Sequence, residues 1–256
     1  MSTRFNALKL FFILRRCLNK IVKPHIRLVL IDLDGTILKN FSTLEEGLKL
    51  LYGLRIGTQK YFGLMDLVIT TSPEEIMLIA EKELIEGGFN RKHLKKINEK
   101  MMTKIDYDLI KAIKNNLGNK TIIVATKSSN TLAIKIANKF SFFAGIGTQL
   151  MFNQRGQMSK SKILISDNNK VQAGHVFRTK LKLAKEKFKT KHNNIHEKEI
   201  AIITDAITDL EIMKKCGLVI LIRNSHPTFL QKVCEKYKLY DIFLYSKRDY
   251  SKLNQL

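Results

Sequence analysis

The segment Asp32-Leu33-Asp34-Gly35-Thr36 places two carboxylates one residue apart, followed by a glycine and a hydroxyl. A second acidic pair, Asp205 and Asp209, has the four-residue spacing that brings two side chains to one side of a helix. Carboxylates that converge repel one another strongly unless a cation sits among them. Oxygen donors with open positions favour Mg2+. A loop hydroxyl such as Thr126 and a lysine beside such an ion suit the oxygens of a phosphoryl group. The chemistry these types imply is phosphoryl transfer.

Such groups need elements that bring them together. Ile26-Arg27-Leu28-Val29-Leu30-Ile31 is a short aliphatic run of the kind a buried parallel strand shows. Asp32 and Asp34 cannot continue it into a core, because an unpaired buried charge costs too much. They belong where the strand ends, and Gly35 permits a sharp turn there. Further strands are predicted at Thr121–Ala125, Ile200–Ile203, Leu218–Ile222 and Asp241–Leu244. The second strand runs into Thr126-Lys127-Ser128-Ser129 and the third into Thr204-Asp205. The C-terminal ends of parallel strands share one edge of a sheet, so these polar residues are expected at one crevice.

Between the first two strands the pattern is helical. Ser42 with Glu45, Ser72-Pro73-Glu74-Glu75, Asn90 and Asp106 read as helix starts. Gly87-Gly88 and Gly118 read as stops. Later helices are expected at 130–140, 180–191, 207–216 and 228–238. Turns at Asn153–Gly156 and Asp167–Lys170 predict a hairpin region over 147–176. Strands alternating with helices make an α/β protein with a parallel sheet.

The chain has 256 residues and a formal charge of +22, enough for one large domain or a core with an insert. The charge suits a solvated Lys-rich surface, and no aromatic-interleaved basic motif points to nucleic acid. Cys17, Cys216 and Cys234 form no CxxC pair, which fits a reducing, cytoplasmic compartment. Over residues 5–23, Lys9, Arg16, Lys20 and Lys23 share one side of a helical wheel, with Leu10, Leu14, Cys17, Leu18 and Ile21 opposite. That segment can lie on an anionic membrane surface or pack on the domain. Its longest apolar run, Leu10–Leu14, is too short to span a bilayer.

Taken in order and in strand context, these motifs resemble the haloacid dehalogenase (HAD) superfamily of phosphohydrolases. DLDGT after an apolar strand matches the first family motif, the run ending at Thr126 the second, and IITDAITDLEIMKKCG the fourth, with Thr204 where Gly is more usual. The helical insert and the hairpin region resemble the phosphoserine-phosphatase-like branch. The resemblance implies a Rossmann-like core over residues 26–38 and 120–245 and a helical cap over 39–119. It leaves a basic segment at 1–25 and a tail at 246–256. It implies Asp32 as nucleophile and Asp34 as general acid and then base. Thr126 and a lysine would hold phosphoryl oxygens. Mg2+ would sit on Asp32, the backbone carbonyl of Asp34 and Asp205, with Asp209 in support directly or through water. The third motif departs from the pattern, since Arg178-Thr179-Lys180-Leu181-Lys182 offers several cations and no Gly. Lys180 is the choice, because Thr179 can cap the helix and leave Lys180 in its first turn; Arg178 and Lys182 stay open. Lys127 and Ser128 can also face the phosphate.

The function expected is Mg2+-dependent hydrolysis of a small phosphomonoester through an aspartyl-phosphate on Asp32. Three alternatives share these residues: a membrane-surface phosphatase for a lipid or polyprenyl phosphate, a phosphomutase, and a non-catalytic cationic binding module.

Overall fold

The computed structural model describes residues 25–67, 70–166, 171–172, 174–205, 207–222, 232, 235–236, 238–244 and 246–255. The basic segment at 5–23 lies outside them, as does most of the helix expected at 228–238.

Strand β1 (Leu28–Ile31) is wholly buried and lies inside a six-stranded parallel sheet. The order is β11-β10-β9-β1-β2-β3, built from β2 (Thr121–Ser129), β3 (Ala144–Thr148), β9 (Ile200–Thr204), β10 (Leu218–Ile222) and β11 (Ile242–Leu244). Ile31 is level with Val124 on one side and Ile203 on the other. The residues that follow in all three strands therefore emerge at the same height. Chain order reverses across β1: β2 and β3 extend the sheet one way, β9 to β11 the other. That reversal opens a crevice at the strand ends, where open α/β sheets bind ligands.

Alternation along β1 feeds two cores. Val29 and Ile31 join a cluster with Ile110 and Ile113 of α5 (Tyr107–Leu117) and Leu132 and Ile136 of α6 (Asn130–Lys139). Leu28 and Leu30 face Leu181, Ala184 and Phe188 of α7 (Lys180–Lys189). A strand covered on both faces must be apolar throughout, hence the unbroken run.

Among the described residues, α1 (Thr43–Tyr52), α2 (Leu54–Asp66), α3 (Pro73–Glu86), α4 (Arg91–Met102) and α5 fill the stretch between β1 and β2. Ser72 and Glu75 form a reciprocal capping box on α3, while Asn90 and Asp106 cap α4 and α5. At α1, Ser42 accepts from the Glu45 N–H, and the Glu45 carboxylate pairs with Lys49 at 2.7 Å.

Two elements differ from the sequence expectation. Ala144–Thr148 is an edge strand of the main sheet, although Gly145 and Gly147 mask a strand pattern. A Cβ on Gly145 would meet the backbone of Ala133 at 2.2 Å, so glycine lets α6 press against β3. The hairpin region holds more than a hairpin. β4 (Leu150–Phe152) and β5 (Met158–Ser161) pair antiparallel, but β6 (Ile163–Ser166) pairs in parallel with β8 (His175–Thr179), which also takes the short β7 (Val171–Gln172). The helix expected at 207–216 is a 3-10 turn, Ile207–Asp209, followed by the single-turn α8 (Leu210–Met213). Among the described residues, no helix is long and apolar enough to cross a membrane.

Candidate active site

The loop after β1 is held from below by its own apolar residues. Leu33, Ile37 and Leu38 are fully buried, and Leu38 N–H donates to the Leu33 carbonyl at 2.9 Å. That closed turn lifts Asp32 and Asp34 into a cavity that Thr126, Lys127, Ser128, Lys180, Asp205 and Thr208 also line. Gly35 sits at φ 75°, in the left-handed region that glycine favours. A Cβ there would lie 2.1 Å from Asp205 Oδ2, so only glycine lets the loop approach that carboxylate. Thr36 Oγ1 donates to Asp205 Oδ1 at 3.4 Å.

Lys180 reaches the cavity floor from the first turn of α7, whose N-cap is Thr179. Its Nζ lies 2.6 Å from Asp32 Oδ1 and 2.7 Å from Asp209 Oδ1, and the residue is only 3% exposed. Burial alone would lower the ammonium pKa, but the Asp209 and Asp32 carboxylates outweigh it and raise it. Lys180 is therefore a fixed cation. Arg178 pairs instead with Glu186 at 3.5 Å. Burial pushes the Asp32 carboxyl up to about 6, with Lys180 opposing and the Asp209 and Asp34 charges adding to the rise.

Asp209 occupies a different place from Asp205. It is 1% exposed, is not among the residues lining the cavity, and takes Thr204 Oγ1 on Oδ2 at 2.8 Å as well as Lys180. Burial would raise its pKa, but Lys180 and then Lys127 pull it below the ordinary value. Asp209 thus stands behind Lys180 as its counter-charge, where the sequence resemblance would have it supporting a metal ion. Thr204 supplies the hydroxyl that holds it.

Asp34 has a separate environment. Its Oδ2 is 2.8 Å from Thr43 Oγ1 and 2.5 Å from Ser128 Oγ, and those two hydroxyls are themselves 2.5 Å apart. Burial pushes the Asp34 pKa up, and the Ser128 and Thr43 hydroxyls oppose that without cancelling it. Oδ1 is left buried with no hydrogen-bond partner. Ser128 is aimed here by an irregularity in β2 between Ala125 and Ser129, where pairing with β3 shifts. Thr126, on the same strand face, accepts from the Ser128 N–H at 3.0 Å. Thr43, at the start of α1, carried no signal in the sequence beyond following the N-cap Ser42. Tyr61 also lines the cavity; burial pushes its phenol up to about 12, against a Ser42 hydrogen bond, so it stays protonated.

Among the described residues, no three His, Cys, Asp or Glu side chains form a metal cluster. At the strand ends Asp32, Asp34 and Asp205 line the cavity, with the glycine cradle of Gly35 against Asp205. Hard carboxylate oxygens in small number, with positions left for water and a phosphoryl oxygen, fit Mg2+ and not a thiophilic ion.

No protein-family model matches this chain, and no curated protein matches it in sequence. Solved structures do match in fold. A phosphoserine phosphatase in apo form is 16% identical with a TM-score of 0.63, over 90% of this chain and 98% of its own. A phospho-aspartyl intermediate analogue of phosphoserine phosphatase is 15% identical with a TM-score of 0.61, over 86% and 94%. A HAD family hydrolase from Salmonella enterica serovar Typhi is 11% identical with a TM-score of 0.65, over 90% and 75%. The parallel sheet, the helices between its first two strands and these likenesses give the chain the HAD fold, in the form that phosphoserine phosphatases have.

Proposed function

We propose that this protein is a phosphomonoesterase that works through Asp32. The observation that carries it is the meeting of Asp32, Asp34, Thr126, Lys180 and Asp205, remote in sequence, on one cavity. The fold shared with a phospho-aspartyl intermediate analogue of phosphoserine phosphatase supports the same chemistry.

An Asp32 carboxylate oxygen attacks phosphorus, and the bond to the alcohol oxygen breaks. Asp34, whose pKa burial pushes up, serves as the general acid and gives that oxygen its proton, so a neutral alcohol leaves. The Asp34 carboxylate then takes a proton from a water molecule, whose oxygen attacks the phosphorus. The bond to Asp32 breaks, releasing inorganic phosphate and restoring both acids. Splitting one displacement in two makes each step easier. Lys180 holds phosphoryl oxygens and steadies Asp32, and Asp209 acts through Lys180. Thr126 offers its hydroxyl to a second oxygen. Asp32, Asp205 and the backbone carbonyl of Asp34 are the groups to hold Mg2+. When bound, the ion would offset the negative charge shared by phosphate and nucleophile.

p-Nitrophenyl phosphate hydrolysis by the full chain with Mg2+ tests this. Asp32→Asn is expected to lose turnover by at least about a thousandfold, the scale of losing a covalent nucleophile. Turnover that persists in Asp32→Asn rejects the mechanism.

A further inference from the structure

We infer that the alcohol released by this enzyme is a largely apolar group of drug-like size, seated against the wall that α1–α4 build over Asp32. This rests on the phosphomonoesterase function proposed above, and it departs from the amino-acid phosphates that the fold's neighbours bring to mind.

The cavity measures about 550 Å3, inside the roughly 300–1,000 Å3 of sites that enclose drug-sized ligands. A single amino-acid phosphate would leave much of that space to water. The wall over Asp32 includes Leu44, Phe62, Met77, Ala80, Leu84 and Ile97. Phe62 is 58% exposed, while Ala80 and Ile97 are buried.

Charge points the same way. The chain has 45 Lys and Arg residues, yet among the described residues lining the cavity only Lys127 and Lys180 are cationic. Lys127 is on β2 and Lys180 opens α7, both at the phosphoryl end. Lys180 is committed to Asp32 and Asp209, and Lys127 donates to the Thr208 carbonyl at 3.2 Å. No described Lys, Arg or His of α1–α4 lines the cavity, although α4 alone carries Arg91, Lys92, His93, Lys95, Lys96 and Lys100. A substrate carboxylate would be buried there without a counter-charge, at high cost. Of the two carboxylates of α1–α4 that line the cavity, Asp66 and Glu81, the buried one is already engaged. Glu81 accepts from Ser161 N–H through Oε2 and meets His175 Nε2 through Oε1, both at 3.0 Å. Asp66 is exposed. The remaining polar side chains on α1–α4, such as Asn98 and Tyr61, are uncharged and suit an occasional hydroxyl in the alcohol.

Straight-chain alkyl monophosphates from ethyl to decyl, run with Mg2+ beside phosphoserine, glucose 6-phosphate and p-nitrophenyl phosphate, test the inference. kcat/KM is expected to climb roughly fourfold per methylene until the cavity is full, from about 0.8 kcal/mol per buried CH2. Phosphoserine and the sugar phosphate should trail the long alkyl esters by roughly a hundredfold or more, the equivalent of several unburied methylenes. A flat series, or phosphoserine preferred, with Asp32-dependent p-nitrophenyl phosphate turnover intact, overturns the apolar assignment and leaves the phosphatase standing. If no ester turns over, the phosphatase proposal fails, and calorimetric binding of the matching alkylphosphonates decides. Affinity rising with chain length upholds the apolar wall, and affinity independent of length overturns it. Ala80→Phe should flatten the chain-length dependence, and a slope like the wild type's contradicts the assignment. Should that variant not fold, Met77→Gln, at a half-buried position, serves the same comparison.

Discussion

At the scale of single residues, the site is two proton environments side by side. Asp32 faces a fixed cation; Asp34 faces two hydroxyls, and burial pushes its pKa up. Lys180 joins Asp32 to the fold through Asp209, and removing one partner of a buried pair leaves the other uncompensated. Lys180→Met is therefore expected to cost about 3–5 kcal/mol of stability. The urea midpoint should fall with its slope unchanged, and adding Asp209→Asn should recover part of the loss. Little change in midpoint would mean that the Lys180–Asp209 pair does not support the fold. Asp209 also predicts a pH dependence. Its folded pKa lies below the ordinary value despite burial, because Lys180 and Lys127 outweigh it. The unfolded chain takes up a proton near pH 3.9 that the folded chain refuses. The stability from Asp209 is thus complete above that pH and is lost as pH falls through the lower folded value. In metal-free protein, urea midpoints measured against pH should fall less steeply below about pH 4 in Asp209→Asn than in wild type.

Among the elements, the start of α1 matters most for chemistry. Thr43 is the contact through which the helices over the cavity touch the acid of the core: it meets both Asp34 and Ser128. A hydrogen bond to a carboxyl group that changes charge is worth about 1.5–3 kcal/mol. Thr43→Val should therefore lower kcat by roughly tenfold to a hundredfold with the fold intact, checked by steady-state kinetics beside circular dichroism. Much of this layer was legible in the chain. Aliphatic runs ending in acids or hydroxyls marked β1, β2 and β9, and Ser72, Asn90 and Asp106 marked helix starts, because those signals are local. Thr43 was not legible, since its partners lie 9 and 85 residues away. Strand β3 was hidden because its two glycines serve the packing of α6, a tertiary demand that erases the strand pattern. Residues 147–176 read as a hairpin region, but within it β6 pairs in parallel with β8, and such a pairing leaves no turn signature.

For the whole molecule, the charge of +22 said little about the site. The cations of the helices over the cavity are on other surfaces, and the cavity wall they leave behind is apolar. Composition records how many charges exist and not which way they face. That is why Asp32 and Asp205 could be placed at one crevice from strand logic, while the nature of the alcohol had to wait for the cavity. The central claim is that Asp32 takes the phosphoryl group. Rapid acid quench of the full chain turning over a phosphomonoester with Mg2+, followed by mass spectrometry of its peptides, tests it most directly. One added phosphoryl group is expected on the peptide that carries Asp32, absent without substrate and absent in Asp32→Asn. A phosphoryl group on another residue, or steady turnover with Asp32 never modified under any quench, would contradict it.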